Sequence, residues 1–326
     1  MALDPGSRAT AKAEAEIEKR LKSIYSKARK ELTEKMQEFE KHFKARDAEK
    51  RLDLAAGRIT QEEYKAWLDH QVFTGDIWKK KVDQATRALL DANQQALRIV
   101  NGEKIGVFEE NANYQAFQIT KDTGLGLNFT LYDKDTVTRL VKEQPELLPR
   151  KVVNGRKDRA WNQKKIANAV TQGIIQGESL TQITDRIARD TAEQNGSAMY
   201  RYAATAMTAA QNAGRMESMH RAKDMGIKCK KRWLATLDSR TRDTHAELDG
   251  QVVDVDEPFV VDGKEIMYPG DPFCAYPELV WNCRCTLVYE YEEYPADPEL
   301  DERLDNESRE TIRNMTYREW TRRKKE

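Results

Sequence analysis

The chain has 326 residues, and its 55 Lys and Arg balance 55 Asp and Glu, so overall charge excludes a general attraction to nucleic acid. A charged fraction of 34%, an aromatic fraction of 8% and a mean hydropathy of −0.83 exclude one deep apolar core. This composition favours long helices with one apolar face, arranged in two or three units.

The start of the chain bears on where the protein resides. Residues 1–5 lack the basic and apolar regions of a secretory signal. No apolar run reaches the ~20 residues of a membrane-spanning helix, so no membrane partner is predicted. We expect a reducing cytosol, where clustered thiols serve as metal ligands or as buried apolar side chains rather than as disulfides.

The first predicted elements are helices. Apolar side chains recur at three- and four-residue steps over residues 10–54 and form one stripe. That stripe contains Ile17, Leu21, Ile24, Ala28, Leu32, Met36, Phe39 and Phe43. Thr60 and Glu63 have the spacing of a capping box, which predicts the start of a second helix. A third helix is predicted from Asp76 to Asn101, where an Asn-Gly pair ends the pattern.

The helical pattern weakens after residue 101. Residues 102–131 contain several glycines and polar side chains, which predicts a loop-rich linker. Residues 150–157 are predicted to form a small hairpin, because Asn154-Gly155 suits the positive φ angles of a type I′ turn.

The second half of the chain is predicted to be helical and then β-rich. Three helices are predicted, over residues 163–176, 179–188 and 200–223. Three short strands are predicted, at residues 252–253, 259–261 and 286–289. A last helix is predicted over residues 308–322, with Tyr317 and Trp320 as its anchor.

These elements predict an α+β fold that is mainly α: a long N-terminal helical stalk, then a helical domain with a small β-rich C-terminal lobe. The predicted segments are a helical stalk and interaction region (1–101), a linker with a hairpin (102–160), a domain of helices followed by short strands (161–290) and a charged tail (291–326).

One compact segment gives the chain its identity. Several short pieces occur there in a fixed order: residues 205–215 and 221–226, Trp233, residues 238–242, His245, Leu248-Asp249-Gly250, residues 269–272 and Asn282-Cys283-Arg284-Cys285. With these pieces, about residues 177–290 resemble the Mu F-like minor head proteins of tailed bacteriophages, also called phage head morphogenesis proteins.

The resemblance implies a minor capsid protein of a tailed phage or prophage, assembled in the bacterial cytoplasm and carried in the virion. It implies a role in head morphogenesis near the portal, and in DNA packaging or ejection. The implied partners are the portal protein and the major capsid or scaffold protein. An alternative is an effector released with the DNA. Some relatives carry a C-terminal toxin domain, for which the residues after Cys285 are expected to leave no room.

The histidine and cysteines of the motif predict two different structures. His245, Cys274, Cys283 and Cys285 can form a Cys₃His zinc site, which would stabilise a small lobe. Two observations argue against zinc. The spacing Cys-x-Cys is less suited to two zinc ligands than Cys-x₂-Cys. Relatives that resemble zinc knuckles have Cys-x₂-Cys where this chain has Arg242 and His245. In the other interpretation, Cys283 and Cys285 pack as small apolar side chains and His245 forms local hydrogen bonds.

No catalytic residue is predicted. His245-Ala246-Glu247 matches half of a zinc deaminase signature, but Cys283 and Cys285 lack the spacing of the other half. A cytosolic zinc-dependent enzyme using His245, Cys283 and Cys285 is the remaining enzymatic alternative. The other motif residues are expected to build a charge-satisfied turn and a small core. They are Trp233, Asp238, Arg240, Thr241, Asp249, Gly250, Pro269, Gly270, Asp271, Asn282 and Arg284.

A basic block precedes the motif. Its candidate contacts to double-stranded DNA are Arg150, Lys151, Arg156, Lys157, Arg159, Lys164 and Lys165. Trp161 lies among them, and an aromatic ring between basic residues suits a nucleic-acid contact. A charged block of this kind is more often only a solvated face, and that interpretation is favoured over DNA contact.

Overall fold

The fold is described from a computed structural model. It describes residues 4–70, 76–124, 132–144, 148, 151, 153–176, 178, 180–291 and 302–324. The predicted class, α+β and mainly α, is confirmed. No helix among the described residues has the length and apolar character needed to cross a membrane.

Seven helices make up most of the described residues in the first two thirds of the chain. They are α1 (Pro5–Ala55), α2 (Gln61–Asp69), α3 (Asp76–Thr123), α4 (Lys134–Glu143), α5 (Gly155–Ile175), α6 (Leu180–Ala188) and α7 (Gln194–Asp224). The π-helical turn Arg189–Glu193 joins α6 to α7. The long first helix is confirmed, and so is the capping box, in which Thr60 and Glu63 each bond the other's backbone amide.

The linker predicted over residues 102–131 is wrong as far as residue 123, because α3 continues to Thr123. Gly102 and Gly106 lie inside this helix, and glycine in a helix costs only about 1 kcal/mol relative to alanine. A buried stripe offsets that cost: Val107, Phe108, Ala112, Ala116 and Ile119. Residues 125–131 lie outside the described residues.

The hairpin predicted at residues 150–157 is also wrong, because α5 begins at Gly155. The Asn154 side chain accepts a hydrogen bond from the Lys157 amide at 2.9 Å and so caps the helix. Asn-Gly therefore starts a helix here, consistent with the preference of asparagine for the N-cap. Arg150 and Val152 of the predicted hairpin lie outside the described residues.

The remaining elements form the β-rich lobe. Its strands are β1 (Cys229–Leu234), β2 (Val252–Asp254), β3 (Phe259–Val261), β4 (Lys264–Ile266), β5 (Thr286–Tyr291), β6 (Glu302–Leu304) and β7 (Thr311–Arg313). Its helices are α8 (Asp243–Leu248), α9 (Pro277–Val280) and α10 (Tyr317–Arg323). One sheet has the order β2-β1-β5, and β3-β4 and β6-β7 are antiparallel pairs.

The predicted helix over residues 308–322 is shorter than expected. The chain first makes the hairpin β6-β7, and the helix begins only at Tyr317, where Thr316 and Glu319 form a capping box. The anchor role of Trp320 is confirmed, because its side chain is buried and its indole Nε1 donates to Asp305 at 2.9 Å.

The chain divides into two compact units. One contains residues 1–18, 99–151 and 201–326, and the other contains residues 19–98 and 152–200. These units cut across the four predicted segments.

The second unit is a helical core with a partly buried chain of hydrogen bonds. The Tyr25 hydroxyl donates to Asn93, whose amide donates to Asn195 at 2.8 Å. Asn195 in turn donates to Asn162 at 2.9 Å. Polar groups that are satisfied only in one arrangement fix the register of the helices that carry them.

Candidate functional site

The polar face of α7 holds the segment that ends the motif. The Thr208 hydroxyl donates to the Cys283 carbonyl at 2.8 Å, and the Asn282 amide donates to the Thr205 hydroxyl at 3.0 Å. Gln211 donates to the Thr286 hydroxyl at 2.7 Å. One face of a helix therefore satisfies the Asn282 amide, the Cys283 carbonyl and the Thr286 hydroxyl.

Asn212 and Arg215 complete this contact along β5. The Asn212 side chain accepts from the Leu287 amide at 2.9 Å and donates to the carbonyls of Pro269 and Cys285 at 3.1 and 3.2 Å. Arg215 donates to the Leu287 carbonyl at 2.8 Å. The outer edge of β5 is thereby covered by side chains, which satisfies groups that an open strand edge would expose.

Arg215 is almost completely buried, with 1% of its side chain exposed. Its guanidinium also donates to Asp4 at 2.7 Å, to the Ser7 hydroxyl at 3.1 Å and to Asn111 at 3.1 Å. Arg215 thus joins the start of α1, α3 and β5 to α7. The motif pattern includes Arg215 but predicts no role for it, because its partners are distant in sequence.

The Pro-Gly-Asp-Pro turn packs directly on α7. Gly270 has a φ of +83°, and a Cβ at this position would lie 2.9 Å from the Ala209 backbone nitrogen. The Asp271 carboxylate accepts from the amides of Met267 and Phe273 at 3.2 and 2.8 Å. The fully buried Lys231 donates to the Met267 carbonyl at 2.9 Å, and burial lowers the pKa of Lys231 to about 8.

Asp238 organises the Asp-Ser-Arg-Thr-Arg turn. Its carboxylate accepts two hydrogen bonds from Arg284, one of them at 2.8 Å, and one from the Arg240 amide at 3.0 Å. Thr241 closes the turn by donating to the Thr236 carbonyl at 2.5 Å. The predicted charge-satisfied turn therefore forms, although the main partner of Asp238 is Arg284 rather than Arg240.

Asp249 holds the C-terminal residues. Its carboxylate, whose side chain is 0% exposed, pairs with Arg303 at 2.7 Å and accepts from the Ala235 and Tyr317 amides at 2.6 Å each. The Tyr317 hydroxyl donates to the Asp238 carbonyl at 3.1 Å. The residues predicted as a tail are part of the lobe, which the charge pattern alone did not indicate.

Replacing Asp249 by asparagine is expected to destabilise the protein by about 3–5 kcal/mol, because a buried arginine loses its carboxylate and one acceptor becomes a donor. Urea denaturation of full-length D249N against wild type measures this loss. The exposed Asp254→Asn variant is the matched control and should lie within about 0.5 kcal/mol of wild type. Equal stability of the two variants would contradict the assigned role.

The predicted metal ligands are only partly brought together. His245, Cys283 and Cys285 are buried, and their ligand atoms lie within 4.8 Å of one another. His245 Nδ1 is 3.3 Å from the Cys285 sulfur and 3.5 Å from the Cys283 sulfur. Cys274 does not join this group, and its sulfur lies 3.5 Å from the Glu265 carbonyl. The predicted Cys₃His set is therefore wrong in its fourth ligand.

The three grouped side chains sit inside the small core of the lobe. The Trp233 ring packs edge-on against His245 and Phe259, with ring centroids 5.9 and 5.3 Å apart. Burial raises the pKa of the Cys283 thiol well above its ordinary value. Cys283 and Cys285 are only 2% and 4% exposed, so no substrate reaches their thiols in this conformation.

The predicted DNA contacts are divided between the two units. Lys151 belongs to the first unit, and its ammonium lies 5.8 Å from the Tyr202 ring centroid. The others that the structure describes lie on α5: Arg156, Lys157, Arg159, Lys164 and Lys165. Arg150 lies outside the described residues.

On α5 the basic residues point in two directions. Arg156 and Arg159 line an open cleft of about 690 Å³ together with Arg87 of α3. Lys157 and Lys164 are exposed on the outer face, near Trp161, which is 42% exposed. The basic residues of α5 can present positive charge to a phosphate backbone, and the Trp161 ring can stack on a base.

Comparison with known proteins identifies the part of the chain that carries these contacts. Residues 164–288 match the family described as Phage Mu protein F like protein. These 125 residues, more than a third of the chain, are therefore similar to the Phage Mu protein F like family. The resemblance drawn from the motif is thereby confirmed, and the matched Mu F-like segment ends before the C-terminal residues that pack on Asp249.

Three known proteins show how far the similarity extends. Minor head protein GP7 of Bacillus phage SPP1 is 29% identical over 306 residues, which cover 85% of this chain and 93% of that protein. NAD(+)–arginine ADP-ribosyltransferase EFV of Enterococcus faecalis is 32% identical over 206 residues, or 63% of this chain. Protein YqbB of Bacillus subtilis is 30% identical over 156 residues.

The coverage of the relatives differs. The chain spans only 40% of the length of the Enterococcus protein and 48% of YqbB, so the match to each is partial. No solved structure is significantly similar to the chain.

Proposed function

We propose that this Mu F-like chain is a minor head protein of a tailed phage or prophage, with a structural rather than a catalytic role. The observation that carries the proposal is that polar side chains of the motif form hydrogen bonds and ion pairs inside the lobe. Asn212, Asp238 and Asp249 each bond neighbouring backbone or arginine groups. The similarity to the SPP1 minor head protein along most of both chains supports the same role.

We further propose that the protein acts in head morphogenesis near the portal, and that it remains in the virion after assembly in the host cytoplasm. Its partners would be the portal protein and the major capsid or scaffold protein. Long helices with exposed charged faces, such as α1, offer contact surfaces that do not require a reaction centre.

The test is co-expression of the tagged full chain with the portal, scaffold and major capsid proteins of its own phage. Purified portal-containing heads should retain the tagged chain at a few copies per particle, whereas heads assembled without portal should lose it. Recovery of the chain only as free protein, beside heads that are otherwise complete, would contradict the proposal.

A second candidate function is contact with double-stranded DNA through α5. Lys157 and Lys164 are exposed on one face, and the exposed Trp161 ring lies 5.3 Å from the Lys165 ammonium. Because Arg159 also pairs with Asp83 at 3.2 Å and the net charge is zero, the proposed binding is weak and dependent on salt.

Electrophoretic mobility shifts at low and physiological salt test this binding. The double variant Lys157→Ala/Lys164→Ala should bind more weakly, and the slope of log affinity against log salt should fall by about 2. Lys19→Ala/Lys27→Ala removes the same charge from exposed positions of α1 and should leave binding unchanged. Binding that is insensitive to salt, or equally weakened by both double variants, would contradict the proposal.

The named activity of the Enterococcus relative belongs to that protein, of which this chain spans 40%. An effector role would appear as release of the chain from the particle together with the DNA. A zinc-dependent enzyme would require the buried Cys283 and Cys285 to become accessible. The proposed structural role predicts neither behaviour.

A further inference from the structure

Arg242 contacts the group formed by His245, Cys283 and Cys285. It lies on the Nε2 side of the His245 ring, whereas the two thiols lie on the Nδ1 side. Arg242 lies directly before α8, and its Nη1 is 2.6 Å from the Glu278 carbonyl oxygen and 3.3 Å from His245 Nε2. Its Nη2 donates to the Trp281 carbonyl. One guanidinium therefore joins the start of α8 to the segment around α9.

This contact determines where the proton of His245 lies. A guanidinium has only donors, so His245 Nε2 must be the acceptor and carry no hydrogen. The proton of the ring then lies on Nδ1, which faces the sulfurs of Cys285 and Cys283 at 3.3 and 3.5 Å. The ring consequently acts as a donor toward the thiols.

A metal held by the same three residues would require the opposite arrangement. Nδ1 is the ring nitrogen that faces the sulfurs, so it would have to offer its lone pair to the metal. The proton would then move to Nε2, where it would point at the donors of Arg242. Histidine ligands normally donate this second N–H to a carbonyl or a carboxylate.

The ligand count also disfavours a structural zinc ion, which takes four protein ligands. Among the residues that the structure describes, no other histidine, cysteine or carboxylate oxygen joins the group formed by His245, Cys283 and Cys285. The residues present therefore do not fit a closed zinc site.

We infer that Arg242 is a positioning residue that replaces a metal ion in this lobe. It cross-links α8 to the carbonyls of Glu278 and Trp281, and it holds His245 in the tautomer that donates to Cys285. The inference concerns the internal construction of the lobe and is independent of the role proposed for the whole protein.

The direct test is the tautomer of His245 in the full chain, measured by ¹⁵N–¹H correlation NMR of the histidine rings. The chain has four histidines, and His245→Gln assigns the signal. Wild type should show a protonated Nδ1 and an unprotonated Nε2, and Arg242→Met should shift the proton to Nε2. Arg240→Met, which alters a side chain that is 78% exposed in the adjacent turn, should change nothing.

Metal analysis gives a second readout that does not depend on the folding of a variant. Untagged wild type should contain no stoichiometric zinc, should give no cobalt–thiolate absorbance on addition of Co²⁺, and should keep its Tm in the presence of a chelator. The inference is overturned by near-stoichiometric zinc in the untagged wild type, or by a wild-type ring protonated on Nε2.

Discussion

Gly270→Ala is expected to be among the most damaging single substitutions in the lobe. Alanine at a φ of +83° costs about 1–2 kcal/mol, because its Cβ meets the following carbonyl oxygen. The same Cβ would also lie 2.9 and 3.0 Å from the backbone nitrogen and Cα of Ala209. Because that backbone is part of α7, relief requires the turn and the helix to separate, at a further cost of about 1–3 kcal/mol.

Gly263→Ala is the matched control, because Gly263 has a φ of +70° but no atom within 4 Å of the place where a Cβ would lie. Its cost should be limited to the conformational part, about 1–2 kcal/mol. Urea denaturation of the two full-length variants against wild type gives the difference between them. Equal costs would show that the close approach of Gly270 to α7 contributes nothing.

Arg215→Met is expected to destabilise the protein by about 3–5 kcal/mol. Methionine keeps the apolar stem but removes every hydrogen bond that the guanidinium makes to Asp4, Asn111 and the Leu287 carbonyl. Loss of the hydrogen bond to the Leu287 carbonyl is the most costly, since a buried acceptor without a partner costs about 1–3 kcal/mol. The exposed Arg8→Met variant on α1 should be nearly neutral.

A double-mutant cycle separates the contribution of the N-terminal contact. Asp4→Asn should cost less in the Arg215→Met background than in wild type, because its partner has already gone. Additive effects of the two substitutions, measured by the same denaturation, would mean that Asp4 and Arg215 do not act as a pair.

The sequence predicted the long helices well, because their information is local. The stripe from Ile17 to Phe43 repeats with the helical period, and the Thr60–Glu63 capping box marks a boundary by itself. The prediction of a linker after residue 101 was wrong for the opposite reason. Gly102 and Gly106 are local signals for a loop, but burial of side chains such as Phe108 outweighs them, and burial depends on the tertiary structure.

The sequence singled out residues of the candidate site but did not predict which side chains contact one another. Trp233, Asp238 and Asp249 were recognised as structural, and their partners Arg284 and Arg303 could not be paired with them from spacing alone. The exclusion of Cys274 and the contact of Arg242 with His245 likewise depend on how loops distant in sequence meet. Ligand spacing restricts such a site, but packing decides it.

We expect α7 and the strand segment at the end of the motif to form one cooperative structure held by side chains such as Asn212. Native-state hydrogen exchange of peptides covering residues 205–215 and 282–287 tests it most directly. Both peptides should exchange slowly in wild type, and Asn212→Ala should accelerate both together. Fast exchange of residues 282–287 in wild type, or acceleration of only one peptide in the variant, would show that the two segments are not cooperative.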